Sequence, residues 1–299
     1  AYPVLWDLAA YTSAGPAHLN WRNQGENLPQ RLDRLIAEGS LDPVIVVLPD
    51  CYTSLGGNQY LNSPAVGQYA DYLCTELLPF VEQQVNAIPH RSGRALFGKS
   101  SGGYGALVLA MQYPELWGAA ASHAGDVGFD RVYLKDFPIT AAVLADYGGD
   151  IQAFMRAFWR KKRPNGRDYT AMMILAMAAS YDPDGAEPTN IHLPFDLRSC
   201  ELDEKRWARW LAWDPLNLVG RHQQALRSLH GLYLDVGRYD QYHIQFGSRQ
   251  LSDRLEALGI AHLFEEFDGT HSGIDWRLDQ SLPWLIRALK NAPGGQNNA

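Results

Sequence analysis

The chain has 299 residues, 46% of them hydrophobic and 20% charged, with a formal net charge of −7. This length and apolar content allow a sizeable buried core, while the acidic balance argues against a nucleic-acid or anionic-membrane surface as the main business. Cys51, Cys74 and Cys200 lie far apart, with neither CxxC nor Cys/His ligand spacing, so no zinc site and no disulfide framework is expected.

Three free thiols in a reducing compartment are the simpler reading. No apolar run approaches membrane-spanning length and no secretion signal is visible. The cytoplasm is therefore the expected location, with a signal cleaved ahead of the first residue left open. The basic run Arg160-Lys161-Lys162-Arg163 is read as a solvated helix end that favours cations.

In chain order, Val4–Ala9 is a short apolar run that reads as a buried parallel strand, followed by the loop "LAAYTSAG". Leu28–Ala37 is an amphipathic helix with Leu32, Leu35 and Ile36 on one face, and Val44–Leu48 is a second strand. Tyr69–Val85 repeats the helical pattern with Tyr72, Leu73, Leu77, Phe80 and Val81. Ala95–Phe97 and Ala119–Ser122 are strands on either side of a helix that starts near Ser101. Leu232–Val236 and His262–Phe264 complete the set, separated by a helix over Ile244–Leu258. A last helix near Ser281–Leu289 precedes the tail "NAPGGQNNA".

Strands alternating with helices predict an α/β fold, a doubly wound and mostly parallel sheet covered on both faces. The alternation stops between about Gly125 and Asp214, a stretch rich in Trp, Tyr, Met and Arg. It reads as a largely helical insertion, about 126–214, packed over one edge of the sheet. One domain over 1–292 and a flexible tail at 293–299 are expected.

The chemistry concentrates at "ALFGKSSGGYGAL", residues 95–107. A strand, a glycine-rich turn and a helix are the setting that G-x-S-x-G needs to present a nucleophilic serine on a sharp elbow. Only Ser100 has glycine two residues away on both sides, at Gly98 and Gly102; Ser101 would need glycine where Lys99 stands. The G-x-x-x-x-G-K-[ST] spacing of a phosphate-binding loop is absent. A plain glycine-rich turn is the bland alternative.

A serine hydroxyl needs a base, and the base an orienting acid. On such a sheet these follow in the order Ser, acid, His, on loops after strand ends. "LYLDVGRYDQY" offers Asp240 beyond the turn at Gly237, favoured over Asp235, which lies within the strand. Of nine histidines, His271 in "DGTHSG" follows a strand and has glycines on either side to project it. His123 ends the strand after the elbow helix and could line the site, but precedes the acid. For the oxyanion, the backbone N–H of Ser101 at a helix start and that of Tyr11 in the first loop are the expected donors. Asn62 and Ser63, in "GGNQYLNS", are candidates for substrate contact.

With these residues assembled, the chain resembles the putative-esterase family of α/β-hydrolases, which includes esterase D, feruloyl and enterochelin esterases and the mycolyltransferases. "PVLWDLAAYTSAGPAHLNW" is similar to the family's first strand and oxyanion loop, "GKSSGGYGALVLAMQYPELWGAAASHAG" to its elbow and next strand. "DVGRYDQY" and "FDGTHSGIDW" resemble its acid and histidine loops. The chain departs from the family in having Ala9-Ala10 where His-Gly is frequent. The resemblance implies roles for Ser100, Asp240 and His271 as nucleophile, acid and base. A serine ester hydrolase of small-molecule esters, needing no cofactor and no metal, is the expectation. An acyltransferase on the same scaffold is the alternative, and a non-catalytic binding protein a more distant one.

Overall fold

A computed structural model of the chain describes residues 1–183 and 191–291. Chain order gives β1 (Val4–Leu8), β2 (Ile45–Val47), the two-residue β3 (Asn62–Ser63) and β4 (Gly67–Gln68), then β5 (Arg94–Lys99), β6 (Ala119–His123), β7 (Gly231–Gly237) and β8 (Leu263–Phe267). β3 and β4 form a small antiparallel ribbon. The other six make one sheet in the order β2-β1-β5-β6-β7-β8, every pairing parallel. All six strands of this sheet were legible as short apolar runs.

Alternate residues of each strand feed opposite faces. Leu5, Ala95, Phe97, Ala119, Ala121 and Tyr233 pack under the helices Leu28–Ala37 and Leu278–Lys290. Val4, Trp6, Leu8, Leu96, Ala120 and Leu234 belong to the larger core on the other face, with the helix Ser101–Gln112. The Leu28–Ala37 helix begins where its sequence says it should. Asn27 and Gln30 cap each other reciprocally, with Pro29 in the first turn.

The stretch expected as one helix over Tyr69–Val85 is helical, with a π-helical turn at Tyr72–Leu77 inside it, where the Leu78 N–H reaches back to Leu73 O. Pro79 supplies the reason: it has no N–H to offer and its ring crowds the preceding turn, which the wider turn relieves.

Between β6 and β7 the chain is α-helical at Phe129–Val132, Phe137–Ala145, Ile151–Arg160, Gly166–Tyr181, Glu204–Leu211, Pro215–Leu218 and Gln223–Ser228. Among the described residues of this segment the β structure is limited to single bridges, Pro183 to Ile191 and Phe195 to Leu202. Both β6 and β7 are interior strands, so the chain of this segment leaves and re-enters the sheet between its edges. Phe129 and Tyr181 pack against Tyr104 of the Ser101–Gln112 helix, one tilted and one edge-on, with ring centroids 6.1 and 5.8 Å apart. Trp210 packs on Tyr133 and Tyr181 at 5.8 and 5.5 Å. The tail expected at 293–299 lies outside the described residues, and no described helix is long and apolar enough to cross a membrane.

Candidate active site

Ser100 lies between β5 and the helix that starts at Ser101, with φ 55° and ψ −123°. That is a backbone conformation a residue with a side chain rarely adopts and one that must be held by its surroundings. Its N–H donates to His123 O at 2.9 Å. The flanking glycines are sterically required. A Cβ on Gly98 would lie 2.5 Å from both Gly102 C and Leu8 O, and one on Gly102 only 1.8 Å from Leu8 O.

Asp240 and His271 come together from the turns after β7 and β8. Asp240 Oδ2 accepts from His271 Nδ1 at 2.7 Å, and its Oδ1 takes the Tyr242 N–H at 2.8 Å. The Gln241 side chain accepts the His271 N–H at 3.0 Å, and the Tyr242 ring meets the imidazole edge-on with centroids 4.8 Å apart. Gly237 lets the two turns touch, since a Cβ there would come within 2.5 Å of Gly269 O. With Nδ1 committed to the carboxylate, Nε2 of His271 is the nitrogen left to act as base.

Ser100 and His271 line one cleft of about 780 Å³, together with Tyr11, Ser101, Asp126, Tyr133, Ile139, Tyr169 and Met173. The loop after β1 is pinned at several points. Tyr11 donates its hydroxyl to Leu55 O at 2.7 Å, the Thr12 N–H donates to Gly56 O at 2.8 Å, and Tyr60 donates to Ala9 O at 2.5 Å. Among the described residues neither the Tyr11 nor the Ser101 N–H donates to a backbone carbonyl.

Three expected contact residues do not reach this cleft. Asn62 is exposed on β3 and accepts the Asp71 N–H at 3.0 Å. Ser63 is buried and donates to Ala179 O at 2.5 Å. His123 is 2% exposed, with Nδ1 on Asp235 at 2.8 Å and Nε2 on Ser281 Oγ at 2.9 Å. Both ring nitrogens are thus engaged in a structural network that Arg277 closes from Asp235's other side at 2.7 Å. The carboxylate of Asp235, the other candidate acid, serves that network.

Two residues that sequence reasoning did not single out stand at the nucleophile. Asp126, three residues beyond β6, accepts from Ser100 Oγ at 3.5 Å and from the Tyr133 hydroxyl at 2.8 Å. Burial raises its pKa, partly offset by the Tyr133 bond and the charge of His271. Gln59 Nε2 donates to Ser101 Oγ at 2.8 Å and to Asp126 at 3.4 Å. The available signal for Asp126 was its place just past a strand's C-terminal end, where open α/β sheets bind ligands. Burial also lowers the pKa of the Lys99 amine, which lines both the cleft and a neighbouring pocket holding the Asp7–His18 and Arg22–Asp275 pairs. Among the described residues no group of three or more His, Cys, Asp or Glu could hold a metal ion.

A parallel sheet with this strand order, a strained serine elbow and a His–Asp pair on the last two loops define an α/β-hydrolase. Residues 2–284 match the family model described as putative esterase, and the chain belongs to that family. Esterase MT1326 of Mycobacterium tuberculosis is 32% identical over 115 residues, 36% of this chain and 24% of that protein, so the match spans about a quarter of the relative's length. A ferulic acid esterase structure superposes with TM-score 0.59 at 20% identity, covering 96% of this chain and 86% of its own. An S-formylglutathione hydrolase from Staphylococcus aureus gives TM-score 0.55 at 14% identity, covering 95% and 84%.

Proposed function

We propose that the protein is a serine carboxylic-ester hydrolase working through Ser100, His271 and Asp240. Ser100 Oγ attacks the ester carbonyl carbon while His271 Nε2 takes its proton, and Asp240 stabilises the imidazolium through Nδ1. The carbonyl oxygen becomes an oxyanion facing the Ser101 and Tyr11 amides, the first helped by the helix it begins. The tetrahedral intermediate collapses, the C–O bond to the alcohol breaks, and His271 returns the proton to the leaving alkoxide. Water then attacks the acyl-enzyme with His271 again as base, releasing the acid and restoring Ser100. No step calls on a metal or organic cofactor.

The observation that carries this reading is the Asp240–His271 pair at 2.7 Å opening onto the same cleft as the strained Ser100. Ser100→Ala tests it on p-nitrophenyl esters, with kcat expected to fall by at least about a thousandfold and fluorophosphonate labelling to vanish. Unchanged hydrolysis would remove the assignment. Product analysis with an added acceptor alcohol or sugar separates hydrolysis from acyl transfer, and a panel of esters varying in acyl length and aromatic character maps the substrate.

A further inference from the structure

Asp126 touches the nucleophile yet has no task in the mechanism above. Its two carboxyl oxygens have different surroundings. Oδ2 accepts from the Tyr133 hydroxyl at 2.8 Å and from Gln59 Nε2 at 3.4 Å, which fixes the plane of the group. Oδ1 faces Ser100 Oγ at 3.5 Å in the cleft wall, and among the described residues Ser100 is its only donor. The whole residue is 5% exposed.

Acylation takes that donor away. An esterified Ser100 Oγ has no proton to give, so Oδ1 loses its partner at the moment the acyl group fills the cleft. A buried carboxylate oxygen without a donor is costly. An acyl group carrying its own donor would restore the bond. By standard bond lengths a substituent on the acyl α carbon lies roughly 3 Å from the ester oxygen, and a hydrogen bond spans about 2.8 Å. Both distances are compatible with an Oδ1 placed 3.5 Å from Oγ. Tyr133, Ile139 and Met173 line the same cleft and offer apolar surface to the rest of the acyl chain.

We propose that Asp126 is a specificity residue that selects acyl groups bearing a hydroxyl or protonated amine on the carbon next to the ester carbonyl. The proposal rests on Ser100 being the acylated nucleophile. No covalent step is added, since the same ester bond breaks and the carboxyl only accepts a hydrogen bond from the substrate.

The test compares kcat/KM for ethyl esters of propionic acid, lactic acid and alanine, both enantiomers of the last two, each normalised to its hydroxide-catalysed rate. The intact protein is expected to favour a lactate or alanine ester over propionate by roughly tenfold to a hundredfold, the range of a hydrogen bond to a charged group. In Asp126→Asn the ratio is expected to collapse to within about threefold, because an amide lacks the carboxylate's charge. A drop shared equally by all the esters, with the ratio kept, overturns the proposal. If the variant does not fold, the ratio in the intact protein decides, and a value at or below one overturns it. Fluorophosphonate labelling in the same samples separates the two failures. Labelled protein with no preference removes this proposal and leaves the hydrolase reading standing, whereas protein that neither labels nor hydrolyses any of the esters removes both.

Discussion

His123 and Asp235 face each other across the β6–β7 register and are joined through Nδ1 and Oδ1 at 2.8 Å. β7 therefore serves two histidines, His123 through Asp235 within the strand and His271 through Asp240 in the turn beyond it. Geometry assigns them different work. The first pair is sealed among Ser281 and Arg277, while the second opens onto the cleft.

His123→Ala and Asp235→Asn are expected to cost about 2–4 kcal/mol of stability, the range for breaking a buried hydrogen-bonded charge network. Folded His123→Ala should keep most of its turnover. His271→Ala and Asp240→Asn should do the reverse, losing about a thousandfold or more in kcat with a melting temperature close to that of the parent. Urea melts and ester kinetics on the four variants check the division.

Asp126 gives a pH prediction. Burial holds its folded pKa above the unfolded value, so between the two the folded state binds more protons than the unfolded. Stability contributed by this group is present in acid and falls as pH rises through the folded pKa. Asp126→Asn removes that dependence. The variant's stability relative to the parent is expected to improve from pH 4 to pH 8, measured by urea unfolding at both. A variant that loses stability relative to the parent between pH 4 and pH 8 would contradict the assignment.

Gly102 leaves no room for substitution. The 1.8 Å approach to Leu8 O is to backbone, which cannot rotate aside, so Gly102→Ala should lose more than about 2 kcal/mol and most activity. Gly166, at the start of its helix, is the control, because a Cβ there would meet no atom within 4 Å. Gly166→Ala should be neutral or stabilising by up to about 1 kcal/mol.

The cysteines should separate by reactivity. Burial pushes Cys51 and Cys74 each up to about 12, which leaves about one thiolate in ten thousand at pH 8. Cys200 is only partly buried. Ellman's reagent is expected to find Cys200 first in the folded protein and the other two only on unfolding.

How much of this was legible depends on what carries the information. The sheet strands are short apolar runs closed by turns, and the Leu28–Ala37 helix announces itself by its stripe and its Asn27–Gln30 cap, so both were readable. Ser100 was readable because its steric demands fall on immediate neighbours, Gly98 and Gly102. Asp240 and His271 followed from their order and their turns. Gln59 was not readable, since its partner Ser101 lies 42 residues along the chain, and for Asp126 the place just past β6 was the one signal, because nothing local marks a carboxyl that meets a serine 26 residues away. Asn62, Ser63 and His123 were placed near the site from chain order alone, whereas their side chains point to Asp71, Ala179, Asp235 and Ser281, a direction settled by the neighbouring elements. Strand order, and with it the interior position of the two strands that the helical insertion connects, is likewise a long-range fact.

The contact of Gly102 with Leu8 carries a consequence for how the protein fails. It locks the start of the nucleophile's helix to the strand that leads into Tyr11, so the attacking atom and one expected oxyanion donor ride on a single rigid block. Heating is expected to release that block only together with the rest of the fold. Loss of turnover and loss of the sheet should trace one curve on a temperature ramp, with no interval in which an intact protein has gone silent.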